Sequence, residues 1–285
     1  MNRFAPELLK ISFLKTGLIL IFIFSLFSSI QAQDLRHKAN HAYKAGEYLE
    51  YKIYFHSFIT GNVSVGKATL KIKDEPVAVY DRQTYHIVGK GKTSNAMGLF
   101  YKVDDRYESY VDKKTLAPLH AVRRVNEGGY IIDHDTYFNQ TKGKAYFRDN
   151  KNDTRKTIED VQYAQDIVSL IYYARTLDYD NAKKGDVFYV DFVVDDDTYK
   201  ARLEYAGKEN IDIGIGKFKC IKIIPYLDIE GVFNKKDPMV LYVTDDKNRI
   251  PLYGKSELKV GNIKLELYDF DNLRNYFSSR IHWND

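Results

Sequence analysis

Along most of this chain apolar and polar residues alternate one by one, the period of a strand with one face on a core and the other in water. The pattern predicts strands near 47–57, 62–73, 83–93, 101–112, 118–126 and 129–139, with a weaker one near 143–148. A second series follows near 186–194, 198–206, 209–215, 217–228, 238–244, 250–259 and 262–271. Between the runs stand Gly61-Asn62, Glu127-Gly128-Gly129, Asp195-Asp196-Asp197 and Gly261-Asn262, residue types that accept positive φ or bond to their own backbone in turns. One stretch breaks the rhythm. Between about 160 and 178, Val161, Ala164, Ile167, Val168, Ile171, Ala174 and Leu177 recur at spacings of three and four, which predicts a helix with one apolar face. The polar run 149–157 reads as the loop that leads into it.

The two strand series look alike. Gly46-Glu47-Tyr48 opens the first and Gly185-Asp186-Val187 the second. Tyr110-Val111-Asp112 leads by a short turn to Pro118-Leu119, as Tyr242-Val243-Thr244 leads to Pro251-Leu252. Ten residues separate Pro118 from Gly128, and ten separate Pro251 from Gly261. The expected fold is therefore mainly β: an antiparallel meander built from two similar halves, about 46–148 and 185–271, forming a curved sheet or open barrel. One amphipathic helix, about 160–178, connects the halves and covers one face or mouth of the sheet.

The first 32 residues read as a secretory signal: Arg3, Lys10 and Lys15 precede an apolar run from Gly17 to about Phe27, with cleavage expected after Ala32. That apolar core is short for a span of about 20 residues, and no later stretch qualifies, so no stable transmembrane segment is expected once the signal is removed. Residues 33–285 would then be one exported β domain, periplasmic or secreted, large enough to bury a core without staples.

Residues 1–32 hold three of the 43 Lys+Arg and one of the 39 Asp+Glu, which leaves 40 against 38 in the exported part. A nearly neutral chain with interspersed charges carries no footprint for nucleic acid. The single cysteine, Cys220, has no partner for an internal disulfide, and alternation puts it on the face of Phe218, which reads as a small buried hydrophobe. The 24 Tyr and 16 Phe favour strands before they argue for a ligand.

Several constellations invite chemistry and have plainer explanations. Gly89-Lys90-Gly91-Lys92-Thr93 ends like a phosphate loop, but His86 stands where the pattern needs its first glycine, and the segment continues a strand. His37 and His41 have metal-chelating spacing without an acidic third ligand close by. Asp133, His134 and Asp135 alternate faces on a strand. Asp195-Asp196-Asp197 and Asp245-Asp246 sit where hairpins must turn. No nucleophile elbow or Ser/His/Asp ordering is found. The expectation is therefore a non-enzymatic protein with no catalytic residues, no metal and no cofactor. One polar cluster remains as a tentative ligand site: Asp104, Arg106, Glu108 and Tyr110 share one side of a strand, and a turn centred on residues 114–116 would bring Arg123 beside Glu108 to grip an anionic or sugar headgroup.

The runs AGEYLEYKIYF (45–55), GNVSVGKATLKI (61–72), YESYVDKKTLAP (107–118) with NEGGY (126–130), and LYVTDDKNRIPLY (241–253) resemble the bacterial envelope family catalogued as domain of unknown function 3108. The resemblance spans about Ala45 to Asp271. It implies an exported, mostly antiparallel β protein and carries over no catalytic residue. A looser likeness, in architecture only, is to the open half-barrels of periplasmic lipoprotein carriers. Export, aromatic-rich alternating strands and the lack of catalytic groups lead to an expected function: a periplasmic binding or carrier protein for an apolar or amphipathic envelope ligand, with the helix as lid. Two alternatives stand beside it, a glycan-binding or glycan-degrading envelope protein and a structural envelope-assembly protein. Periodicity leaves open whether the β core is filled or encloses a cavity.

Overall fold

A computed structural model describes residues 35–58, 61–227, 239–258 and 260–284. The predicted signal, residues 1–32, lies outside the described residues. The compact unit Arg36–Asp285 is built on one antiparallel sheet. Its first series comprises β1 (Tyr48–Ser57), β2 (Gly61–Ile72), a short β3 (Val77–Val79), β4 (Arg82–Thr93), β5 (Asp104–Asp112), β6 (Pro118–Glu127), β7 (Tyr130–Asn139), β8 (Lys144–Asp149) and β9 (Thr154–Ile158). The second comprises β10 (Val187–Val194), β11 (Asp197–Ile213), β12 (Gly216–Leu227), β13 (Val240–Thr244), β14 (Pro251–Glu257), β15 (Asn262–Asp271) and a terminal β16 (Arg280–Trp283) that pairs with β12. β15 pairs with β1, so the strand order runs β10 to β15, then β1, β2 and β4 through to β9. The sheet is not closed into a barrel: β9 and β10 are its two ends.

The helix is shorter than its apolar period predicts. It spans Ile167–Ala174, here α2, and a four-residue α1 (Asn95–Gly98) lies between β4 and β5. Val161 and Ala164 are buried as expected, but outside any helix. The backbone before α2 is committed elsewhere. Asp160 and Tyr163 take positive φ, the Val161 N–H donates to Gly143 O, and Gln165 bridges β10 in parallel, donating to Asp191 O (2.8 Å) and accepting from Val193 N–H (2.7 Å). Asp166 then caps the helix, its Oδ1 accepting from Val168 and Ser169 N–H (2.8 and 2.9 Å) while Ser169 Oγ accepts from Asp166 N–H, a capping box.

Other departures from the sequence expectation have local causes. The two strands expected at 198–206 and 209–215 are one, β11, because Gly207 (φ 103°) is a bulge where the register slips, not a turn. β9 occupies part of the polar run 149–157 expected to be a loop. The sheet edge supplies its pairing, so it needs no apolar alternation.

Matched hydrogen bonds recur in the two series. Gly46 N–H donates to Ile72 O (3.1 Å) and Ile72 N–H to Glu47 O (2.9 Å); Gly185 N–H donates to Tyr205 O (2.9 Å) and Tyr205 N–H to Asp186 O (2.8 Å). Register slips set Val111 opposite Pro118 and, likewise, Val243 opposite Pro251, each after a turn whose Leu116 or Arg249 takes positive φ.

Four apolar clusters pack against the sheet. One joins Leu49, Phe218, Cys220, Ile250 and Leu252; a second joins β10 to β13; a third gathers Tyr43, Ile72, Ile87, Val111 and Leu116 against α2; a fourth holds Phe138, Phe147, Val161 and Ala164. Cys220 is fully buried on the face of Phe218, and burial, with Asp245 nearby, pushes its thiol up to about 12.

Candidate ligand cavity

Within the concave side a cavity of about 560 Å³ lies between α2 and the sheet. Ile167, Leu170, Ile171 and Ala174 form the helix wall; Leu70, Leu203, Ile223, Leu241 and Leu265 face them from the strands. The space is made partly by small residues. A Cβ on Gly89 would sit 3.3 Å from Leu70 Cδ2 and 3.7 Å from Val168 Cγ2, so this glycine lets helix and sheet approach. A Cβ on Gly91 would meet nothing within 4 Å, and the residue leaves open volume. The stretch that mimicked a phosphate loop is thus a strand of the cavity wall.

The inner end of the cavity is polar but internally neutralised. Arg175, at the C-cap of α2, donates both terminal nitrogens to Glu47 (2.5 and 2.9 Å), and also reaches Asn248 O (2.9 Å) and Ala42 O (3.3 Å). Burial alone would lower its pKa, but Glu47 outweighs this and holds the guanidinium above its ordinary value. The guanidinium carbon lies 5.4 and 5.0 Å from the ring centroids of Tyr43 and Tyr172. Burial pushes the phenols of Tyr43, Tyr51, Tyr172 and Tyr179 upward, and their hydroxyls are buried with no hydrogen-bond partner. Arg249, also on the cavity, pairs with Asp180 and with Asp245 (3.2 Å).

Beside the cavity is a small recess of about 40 Å³, lined in part by Tyr107, Arg123, His134, Asp166 and Asp195 among apolar residues. Arg123 and His134 both bond Asp195 on the β10–β11 turn, His134 through Nδ1 at 2.9 Å. At the helix start, Ser109 Oγ donates to Asp166 Oδ2 (2.5 Å). Burial raises the pKa of Asp166, opposed by hydrogen bonds from Ser109, Ser169 and Val168.

The structure divides the predicted headgroup strip. Arg106, Glu108 and Tyr110 share the outer face, as alternation requires: Arg106 Nη2 lies 2.7 Å from Glu108 Oε1, and His86 Nε2 lies 2.5 Å from Oε2. Tyr110 stacks between His86 and His120, at 4.3 and 5.3 Å, and His120 stacks in turn on Tyr137 at 4.2 Å. Asp104 pairs with Lys92 at 3.2 Å. Arg123 does not join them. The register slip at Tyr110/Val111 sets it opposite Tyr107, not Glu108, and turns it to the concave side. Asp133 and Asp135 face outward to Arg124 (3.1 and 2.8 Å), with His134 on the other face. The lining residues went unnoticed in sequence because they read as ordinary strand interior. Only the small residues Ala68, Gly89 and Gly91 signal missing volume.

Among the described residues no group of three or more His, Cys, Asp or Glu is arranged to hold a metal, and no helix is long and apolar enough to cross a membrane.

The model of the family described as "Protein of unknown function (DUF3108)" matches residues 50–268. No curated protein matches the chain. Among solved structures, a β-barrel-like protein of the domain of unknown function DUF1849 from Brucella abortus is similar at a TM-score of 0.53 and 9% identity, over 82% of this chain and 100% of that one. A protein from Bacteroides fragilis with a YmcC-like fold, described as exported, gives 0.32 at 9% identity, and one from Parabacteroides distasonis, described as a lipoprotein, gives 0.34 at 10%; each covers 84% of this chain and 100% of its own. The first of these likenesses is one of fold.

Proposed function

We propose that this chain, which belongs to the DUF3108 family, is a non-enzymatic envelope protein that binds or carries one apolar or amphipathic molecule between its sheet and α2. The cavity carries the reading. At about 560 Å³ it falls within the range of about 300–1,000 Å³ common for small-molecule sites, and its walls are mostly apolar, aliphatic side chains joined by Tyr51, Tyr107, Tyr179 and Phe192. A mostly apolar cavity of this size favours a hydrocarbon chain or compact lipid over water. The arginines at its inner end have carboxylate partners, so affinity would come from apolar burial more than from a buried counter-ion. The helix expected as lid lines the site through Ile167, Leu170, Ile171 and Ala174. Periplasmic or secreted location after removal of residues 1–32, and descent of the two strand series from one duplicated unit, belong to the same reading; the matched bonds around Gly46 and Gly185 support the second.

The glycan alternative is weaker. Four tyrosines are buried around α2, and the outer ring series from His86 to Tyr137 stacks face to face, which spends the ring faces a sugar would need. An assembly role without a ligand leaves the cavity unexplained. The outer strip of Asp104, Arg106, Glu108 and Tyr110, with Arg123 behind it, is kept as a secondary headgroup site only if bound material proves to be carbohydrate.

Native mass spectrometry with solvent extraction, alongside titration with a fluorescent apolar probe, tests the proposal. A discrete extractable mass, or saturable uptake of about one probe per chain, is expected. Gly91→Phe projects a ring into open volume and is expected to weaken uptake at least tenfold with the thermal midpoint unchanged or raised. A bare chain that takes up no probe would sink the carrier reading.

A further inference from the structure

Four connections lie side by side at one end of the sheet, and each presents apolar residues to solvent. The register fixes their common end. His56 of β1 faces both Asn62 and Asn262, so the β1–β2 and β14–β15 hairpins turn together. Gly66 faces Thr93 and Lys92 faces Asp104, which puts the connection containing α1 at the same end. Val103 bridges Glu127, which adds the β6–β7 hairpin. The exposed side chains are Phe58, Leu99, Phe100 and Val260 in the connections and, at the start of β7 beside its turn, Tyr130 and Ile131. Leu99 and Phe100 are each 86% exposed, and Phe58 has no cover at all.

Turn chemistry does not account for them. Hairpin tips favour Gly, Asn, Asp and Ser, and a Phe or Leu in water gains nothing from the turn. A scattered surface Leu needs no explanation, but a row of large apolar residues on four adjacent connections does. The row lies at the end of the sheet toward which Gly91, Asp105, Leu227 and Met239 carry the cavity lining, while the Glu47–Arg175 pair sits toward the opposite end.

We propose that this apolar rim docks on the surface of a lipid bilayer, inserting its tips among the headgroups and upper acyl chains. Separate points spread along one end of a sheet suit a plane and offer no groove for a peptide or helix. Phe, Leu, Ile and Tyr at those points match the boundary region of a bilayer, where aromatic rings sit at headgroup depth. Charge is balanced there: Lys92 and Lys255 have carboxylate partners, and Lys90 and Lys102 beside the rim, like Asp105 and Glu127, form no ion pair among the described residues, so the contact is one of apolar insertion. The rim would bring that end of the cavity to the membrane, but the docking stands on the exposed tips and not on what the cavity holds.

The test uses the chain from Gln33 onward, which contains the whole compact unit Arg36–Asp285, with vesicles of phosphatidylethanolamine and phosphatidylglycerol. The protein is expected to float with the vesicles. The double substitution Leu99→Asp, Phe100→Asp is expected to lower the bound fraction at least tenfold at an unchanged thermal midpoint. A polarity-sensitive dye on Phe100→Cys is expected to shift to shorter wavelength with vesicles; the same dye on Tyr146→Cys, on the outer sheet face, is expected to stay put, and buried Cys220 to remain unlabelled. Equal flotation of parent and double variant would overturn the proposal, as would no flotation of either. A concentration-dependent dimer that the double variant dissolves, without vesicle binding, would instead make the rim an interface between copies. Probe uptake by the same proteins separates this from the cavity reading: uptake without flotation sinks docking alone, and flotation without uptake sinks the carrier alone.

Discussion

Glu47 and Arg175 lie 128 positions apart in the chain and meet where both are almost wholly withdrawn from water. Desolvating two charges is costly, and the bidentate contact with two further carbonyls offsets that cost. Breaking it one-sidedly is another matter. Arg175→Met leaves a buried carboxylate and is expected to cost about 3–5 kcal/mol, while Arg175→Met combined with Glu47→Met is expected to recover most of that loss; denaturant midpoints of the single and double variants measure the difference. Nothing in the sequence announced this pair. Glu47 reads as the residue that opens a strand, and Arg175 as one cation on a helix end. Residues whose partner is a near neighbour on a strand were legible, as with Cys220 beside Phe218. Arg123 marks the limit between the two: its face depends on a one-residue slip at Tyr110/Val111, and a slip of one residue reverses every side chain beyond it.

For the elements, the hydrophobic period located α2 but overran it by about two turns at the N-terminal side. Burial of Val161 and Ala164 is compatible with the period, yet the Gln165 bridge to β10 and the cap at Asp166 stop the helix short. Turn and cap bonding are satisfied by tertiary partners that composition does not reveal, which is also why β9 hid in a polar run. Asp166 itself gives a pH-dependent test. Its folded-state pKa is raised, so its contribution is fully present below the ordinary aspartate value and is lost as pH rises through the folded value. Asp166→Asn keeps an N-cap acceptor and does not titrate. Relative to the parent, this variant is therefore expected to gain stability as pH rises through the range just above the ordinary aspartate pKa of 3.8. Asp166→Ala, which abandons Ser109 and two helix N–H groups, is expected to lose about 1–3 kcal/mol throughout. Urea midpoints across that range check both.

At the scale of the molecule, alternation predicted an antiparallel sheet with a helix against it, and that much is what the chain builds. Whether the inside was packed or hollow was illegible, because a residue facing a cavity and one facing a neighbour are equally apolar. The sheet also stops short of closure, and the gap between β9 and β10 is spanned by side chains: Lys156 to Asp196 (3.2 Å), and Arg123 and His134 to Asp195. An unclosed sheet has two raw borders where another copy's backbone can add. On β10 the Gln165 segment occupies that place. On β9 the exposed border carries Arg155 and Lys156, and charge there opposes edge-to-edge stacking. Replacing both with Val is expected to leave monomer stability within about 0.5 kcal/mol while light scattering rises with concentration. Two cations on the last strand would thus be what keeps an open sheet from growing into a fibre.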